Sequence, residues 1–453
     1  MRKPEPLKAR NSVGLIFFPA FDWEISPDHP ERQERLLYTR DQVFEEGLVD
    51  IEGIEEYRAE IAEERDILRA NICVPSLKAF TTDSHLISAG AAIKAAELVL
   101  EGKTDKAFAI VRPPGHHAFR VVHGDRGFCI INNEAVMVEA IRNKYPDKRI
   151  AFIDTDAHHA DGTQEIYYHD PDVLHISIHQ DGRTLYPGTG FINELGGPAA
   201  YARTLNVPLP PGTSDEGLLF VVREFVLPVL ADFKPDIIIN SAGQDNHYSD
   251  PLTNMRVSAR GYAEMNALLN PDLAVLQGGY SIESALPYVN VGLILAMAGL
   301  DYSCVAEPDY NPEHLRQDSM ITRDIENKVS LLLEIWDKRD TVDPEKIFGK
   351  IDKFYTREKN IYYDTDGISE FQTEKLRYCK DCPGYLLIDS AARNYYTGRR
   401  RIYAVSIPRR ACENCYQEAL DEHEKALKQN NGKYDFIYLQ DLRTDNFTAK
   451  GPF

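Results

Sequence analysis

No stretch of this 453-residue chain reaches the roughly 18 consecutive apolar residues of a membrane-spanning helix, so no membrane span is expected. Basic residues are also in short supply. The 51 Lys and Arg face 71 Asp and Glu, a formal net charge of −20. That deficit argues against nucleic acid as a partner, because sequence-independent binding neutralises phosphates with Lys and Arg. It is compatible with a cationic substrate, and it also serves plain solubility. The seven cysteines are odd in number and do not form the even framework of a secreted disulfide protein. Internal repeats and low-complexity tracts are missing. No leader is expected either: Arg2, Lys3, Lys8 and Arg10 precede the apolar run Val13–Phe18 as in a short signal peptide, but Pro19 and Asp22-Trp23-Glu24 follow without a small-residue cleavage site. The run is expected to be a first buried strand, and the protein to be cytoplasmic.

What is present fits one large α/β domain with an appendage, long enough to bury its own core. Short apolar runs at Val13–Phe18, Ala107–Val111, Ile150–Ile153, Leu174–Ile178, Ile237–Asn240 and Leu273–Leu276 are almost continuously apolar, as in strands covered on both faces of a parallel sheet. Helical stretches are expected between them, at Ala91–Glu101, Glu134–Lys144, Ser214–Asp232, Ala259–Leu269 and Ser284–Leu300. Residues 301–323 read as an irregular loop and Asp324–Lys338 as a helix. A domain boundary falls near 340, giving units 1–340 and 341–453.

In such sheets ligands bind beyond the carboxyl ends of strands. The run ending at Ile153 leads into Asp154-Thr-Asp156-Ala-His158-His159-Ala-Asp161. Residues two apart at a strand end point the same way, so Asp154, Asp156 and His158 converge. Packed acids and imidazoles call for a cation. The run ending at Asn240 delivers Asp245, His247 and Asp250 to the same edge. A mixed His/carboxylate set with an open position is a catalytic zinc pattern. Pro113-Pro114-Gly115 presents His116 and His117 on a stiff turn, suited to acid–base work. Gly278-Gly279 permits a tight turn that aims Tyr280 into the cleft.

The ordered motifs HPERQERL, RPPGHHA, GFCIINN, DTDAHH, YPGTG, SAGQDNHYSDPL and LQGGY resemble those of the histone deacetylase superfamily, over roughly residues 13–300. The resemblance implies an arginase/deacetylase α/β fold with a central eight-stranded parallel sheet. It implies zinc on Asp156, His158 and Asp245, acid–base work by His116 and His117, orienting acids Asp154 and Asp161, and Tyr280 as oxyanion donor. Gly127, Phe128, Tyr186 and Leu252 match a substrate tunnel. Oxygens of Asp154, Asp156, His158 and Ser177 match a potassium site. Ala160, Gln244, Gln277 and Tyr186 depart from the family's usual residues without removing a catalytic group. The implied reaction is zinc-dependent hydrolysis of an acetyl amide, with acetyl-lysine peptides or proteins as substrate. The alternatives are an acetylpolyamine or other small-amide deacetylase, an arginase-type hydrolase, and a catalytically idle zinc-binding interaction protein. A homo-oligomer stays open.

A second constellation lies near the end. Cys379-Lys-Asp-Cys382 and Cys412-Glu-Asn-Cys415 suit a structural zinc in a zinc-ribbon or treble-clef-like module spanning about residues 377–430, with redox-active disulfides as the alternative. Tyr385–Asp389 and Arg401–Ile407 read as a hairpin and Tyr416–Lys428 as a helix. Arg399, Arg400, Arg401, Arg409 and Arg410 make this region locally basic, either as a solvated face or as a surface for an anionic partner.

Overall fold

The computed structural model describes residues 7–395 and 398–451, which leaves Arg2 and Lys3 of the basic start outside. The first sheet has eight strands in the order β2-β1-β4-β10-β9-β6-β7-β8, all parallel. They are β1 (Lys8–Phe18), β2 (Glu52–Tyr57), β4 (Lys106–Val111), β6 (Ile150–Asp154), β7 (Val173–Gln180), β8 (Thr204–Leu209), β9 (Ile237–Ala242) and β10 (Leu273–Leu276). Two short strands, β3 (Ile72–Cys73) and β5 (Val121–Val122), pair separately. Strands β4, β6, β7, β8 and β10 are buried at every residue, because helices cover both faces.

All six apolar runs are strands of this sheet. The helices differ in detail. The first begins at Asp83, eight residues earlier than its apolar pattern suggested, because Thr82 and His85 form a capping box there. The stretch from Asp215 to Phe233 is interrupted by a π-turn at Val222–Val226, just before Pro228, whose missing N–H leaves an upstream carbonyl without its helical donor. The loop expected at 301–323 contains a 3-10 turn at Pro312–Leu315 and the start of a helix, Ser319–Lys338.

The C-terminal region builds a second sheet of six strands, in chain order: β11 (Phe354–Tyr363), β12 (Ile368–Arg377), β13 (Leu386–Asn394), β14 (Gly398–Ile407), β15 (Phe436–Asp441) and β16 (Asn446–Lys450). Neighbours are antiparallel except β14 and β15, which run parallel with the helix Glu413–Lys428 between them. The expected hairpin and helix are therefore present, but inside a larger sheet. Along β12 burial alternates strictly, so one face is covered. What covers it is the first unit: Ile72, Val74 and Val121 share an apolar cluster with Leu376, Ile388, Ile402 and Tyr438.

Polar contacts reinforce this seam. Glu165 receives Arg357 at 2.8 Å and Lys359 at 2.9 Å, and Glu374 receives Lys359 at 3.1 Å and His169 at 2.9 Å. The arginines expected to be solvated or to meet an anionic partner are mostly engaged here. Arg410 pairs with Asp172 at 2.5 Å, Arg409 with Glu139, and Arg400 donates to the Val74 carbonyl, while Arg401 pairs with Asp389 at 2.8 Å within the second sheet.

Candidate active site

Four adjacent central strands, β4, β10, β9 and β6, end at one place, and each delivers one part of the site. From β6, Asp154 Oδ1 accepts the Asp156 N–H at 3.0 Å, and Asp156 Oδ1 accepts the His158 N–H at 2.9 Å. From β9, Asp245 Oδ1 accepts the Ala157 N–H at 2.7 Å. The His158 Nδ1 lies 3.1 Å from Asp156 Oδ1 and 2.8 Å from Asp245 Oδ2. One ligand-type atom from each of these three residues lies within 4.8 Å of the others. From β10, the Gly278 N–H donates to Asp156 Oδ2 at 2.7 Å. A Cβ on Gly278 would sit 2.5 Å from both carboxylates, so only glycine lets the backbone approach them.

Both carboxylates are fully buried. Burial and the neighbouring Asp156 push the Asp245 carboxyl up to about 6. Two acids crowded away from water are costly without a positive charge between them. Two carboxylates and one imidazole form a donor set that fits zinc with positions left for water and substrate. The expected triad is thus brought together.

From β4, the Gly115 and His116 N–H groups both donate to Gln277 Oε1, at 2.9 and 3.2 Å, so Gln277 clamps the turn that presents the histidines. The His116 Nδ1 lies 3.2 Å from Asp154 Oδ2, and the His117 Nδ1 lies 2.8 Å from Asp161 Oδ1. The two rings stand 4.1 Å apart between centroids. Their environments diverge. Burial works to lower His116, but the carboxylates of Asp156 and Asp154 override it and raise it to about 9. For His117, burial and the neighbouring His116 prevail over Asp161 and lower it to about 3. A cation on Asp156 acts on His116 in the opposite direction. The two neighbouring imidazoles are thus pushed apart, and His117 is the one held neutral.

Tyr280 follows the Gly278–Gly279 turn. Its N–H donates to Asp250 Oδ2 at 2.7 Å, and its ring meets the Arg35 guanidinium at 4.9 Å and Phe128 at 5.6 Å. Burial raises its hydroxyl well above the ordinary value, so it stays an O–H donor. Tyr186 packs edge-on against His117 at 5.3 Å and lies 6.5 Å from His158. Phe128 meets His29 at 4.3 Å. Leu252 is half-buried on the turn after Asp250, where its N–H donates to Asp250 Oδ1 at 2.9 Å. Ser177 registers against Asp154 across β6 and β7, and its hydroxyl lies 2.8 Å from His179 Nδ1.

Gly127 and Phe128 are the two central residues of a tight turn. Arg126 and Cys129 exchange both backbone hydrogen bonds, at 3.1 and 3.0 Å, and the central φ values are +55° and +66°. Positive φ at both positions is the signature of a type I′ turn. A Cβ at Gly127 would lie 2.4 Å from the His117 ring. A phenylalanine in the left-handed region costs on the order of 1–3 kcal/mol, a strain that persists only where surroundings over-determine it.

The four cysteine sulfurs at Cys379, Cys382, Cys412 and Cys415 also lie within 4.8 Å of one another. Cys379 and Cys382 sit between β12 and β13, and Cys412 is the N-cap of the helix Glu413–Lys428. Hydrogen bonding, led by the Cys415 N–H, lowers the Cys412 thiol, while burial raises those of Cys382 and Cys415. Four close sulfurs fit a structural tetrahedral zinc.

Three residues in the site escaped the sequence reading. Arg35 binds the Gly279 carbonyl at 2.7 Å, and Arg126 binds Asp161 at 2.8 Å. Each adjoins or lies within a recognised motif, and that proximity was the available signal. Asp364, on the tip of the β11–β12 hairpin, accepts from the Gly127 N–H at 2.9 Å and the Tyr186 hydroxyl at 3.0 Å. Its Asp-Thr-Asp-Gly setting signals a turn but names no partner.

Comparison with known proteins gives the same picture. A histone deacetylase domain matches residues 29–291. A protein of Archaeoglobus fulgidus described as "Probable deacetylase" is 45% identical over 345 residues, 69% of this chain and 94% of that protein. A "Histone deacetylase-like amidohydrolase" of Pseudomonas aeruginosa is 35% identical over 251 residues, 53% of this chain and 65% of that protein. The crystal structure of the HDA15 HD domain aligns with a TM-score of 0.62 at 25% identity, covering 75% of this chain and 99% of that one.

Proposed function

The chain belongs to the histone deacetylase family, and on that premise we propose that it hydrolyses a short acyl group, chiefly acetyl, from the ε-amine of lysine in peptides or proteins. The observation that carries the reading is the meeting of the Asp156–His158–Asp245 donor set with a neutral His117 and a protonated Tyr280. On the same reading residues 1–340 are the catalytic unit and 341–453 its extension, the four cysteines hold a structural zinc, and the β6–β7 edge at Asp154 and Ser177 is the place for potassium.

Zinc on Asp156, His158 and Asp245 supplies, when bound, an acidified water and polarisation of the amide carbonyl. The chain's own residues do the rest. His117, oriented by Asp161, takes the proton of the attacking water at the ring nitrogen that Asp161 does not occupy, and returns it to the leaving amine. His116, held by Asp154, keeps charge balance beside it. Tyr280 donates its O–H to the oxygen on which negative charge develops. Phe128 and Tyr186 flank the acyl-bearing chain, and Leu252 adds an apolar rim without charge.

A second reading, an acetylated polyamine or other small cationic amide, is favoured by one observation. Asp125, Asp364 and Asp366 gather beside Tyr186 and Gly127, where burial and the other two acids push Asp125 up to about 7. A panel of acetyl-lysine peptides and acetylated polyamines, assayed with zinc-loaded protein, separates the two. Preference for the peptides supports the lysine reading, preference for polyamines the second. Turnover of neither overturns both.

A further inference from the structure

Residues 119–127 lead from the tandem histidines to the Gly127–Phe128 turn, and the second sheet holds this segment along its length. Phe119 packs against Ile361, Tyr363 and Ile368. The Val121 carbonyl accepts from the Tyr363 hydroxyl at 3.2 Å, and His123 Nε2 lies 2.8 Å from Ser390 Oγ. The Asp125 N–H donates to Asp366 at 2.7 Å. The last clamp is Asp364. A single oxygen, Oδ1, accepts both the Gly127 N–H and the Tyr186 hydroxyl. These donors come from two different loops, and both loops border His117.

We propose that Asp364 is a positioning residue for substrate binding, so that the C-terminal sheet is a working part of the catalytic site. Gly127 is buried, and its N–H points out of the turn, where no partner within the turn can reach it. Without an acceptor it is a buried, unsatisfied donor. Phe128, next to it, is held at a strained φ of +66°. Asp364 satisfies the donor, ties the turn to Tyr186, and so sets the separation of the two aromatic walls between which the alkyl chain of an acylated amine passes. Arg126, the residue before the turn, binds Asp161 behind His117, so the same segment also reaches the base. The assignment of Phe128 and Tyr186 as walls rests on the acyl-amide reading above. The anchoring of the turn by Asp364 does not.

The test uses the full, zinc-loaded chain with Asp364→Ala and Asp364→Asn. The alanine removes the acceptor. The asparagine keeps an oxygen for both donors and removes only the charge. Asp364→Ala is expected to raise KM for an acetyl-lysine peptide about tenfold with kcat within about threefold, and Asp364→Asn to restore KM to within about threefold of wild type. Tyr186→Phe removes one of the two donors and is expected to give a smaller rise. Its combination with Asp364→Ala should fall short of the product of the two, because they share one interaction. Amide hydrogen exchange of the 119–128 segment, read without substrate, should quicken in the alanine variant and not in the asparagine variant. An alanine variant with wild-type KM and wild-type exchange overturns the proposal, and so does an asparagine variant as impaired as the alanine. If wild type turns over no acetylated amine, the acyl-amide reading fails, and exchange alone still decides whether Asp364 holds the turn.

Discussion

Arg126 grips Asp161 with two nitrogens, Nη1 at 2.8 Å from Oδ1 and Nη2 at 2.5 Å from Oδ2, and that same Oδ1 lies 2.8 Å from His117 Nδ1. The acid behind His117 is therefore itself fixed by a charged fork. Asp161→Asn keeps the shape but offers His117 a different partner. We expect kcat to fall by about a hundredfold to ten-thousandfold, the range for losing a positioned acid–base group, with metal content unchanged. Steady-state kinetics and metal analysis check this, and near-normal kcat would remove His117 from the proton transfer.

Tyr280→Phe removes one hydroxyl from a buried ring. Loss of an oxyanion donor costs about 10² to 10³ in rate. The expected result is that loss in kcat at unchanged zinc content and thermal stability.

Gly127→Ala places a Cβ 2.4 Å from the His117 ring on a backbone with φ of +55°. Activity is expected to drop more than about tenfold, while circular dichroism keeps the wild-type shape, since the clash and strain are local and of order 1–3 kcal/mol.

The seam between the two sheets is expected to be acid-labile. Burial works to raise Glu165, but Arg357 and Lys359 override it and lower it to about 2. Glu374 is also held well below its ordinary value. A depressed carboxyl stabilises the folded state fully above its unfolded value of about 4.3 and ceases to do so as pH falls toward the folded value. Stability should therefore decline between about pH 4.5 and pH 2. Glu165→Gln leaves buried cations without their partner and is expected to cost about 3 kcal/mol near neutral pH. Denaturation midpoints of the two proteins should converge as the pH is lowered, and a constant gap would assign the loss to packing instead.

Metal analysis is expected to find two zinc ions per chain. Cys415→Ser should remove one and lower thermal stability, whereas Asp245→Asn should remove the other and abolish turnover. One ion in wild type would discard one of the two sites.

The six central apolar runs were legible because strands covered on both faces need no polar residue along their length. The flanks of the same sheet were not. Edge strand β2, EGIEEY, buries only one residue fully and reads as polar. Edge strand β8, TLNVPL, carries Asn206 and Pro208 through a buried position and lacks an apolar run. In the second sheet β12, ISEFQTEKLR, alternates faithfully, yet Glu370 and Glu374 are among its buried residues, so hydropathy hides the period. The convergence of Asp156, His158 and Asp245 was legible because each sits within a few residues of a strand end. Asp364 was not, because chain spacing carries no information about a contact made between sheets.

Gly127 and its acceptor are separated by 237 residues. Domains fold as they leave the ribosome, amino-terminal portions first. All eight strands of the first sheet precede residue 277, so that sheet, with its Asp156–His158–Asp245 set and tandem histidines, emerges long before Asp364 does. A nascent chain thus passes through an interval in which the chemistry is assembled but the Gly127–Phe128 turn is unanchored and the apolar surface at Ile72, Val74 and Val121 is uncovered. On the anchoring role proposed for Asp364, competence to grip substrate arrives as a late event in synthesis, timed by the second sheet and not by the sheet that carries the Asp156–His158–Asp245 set.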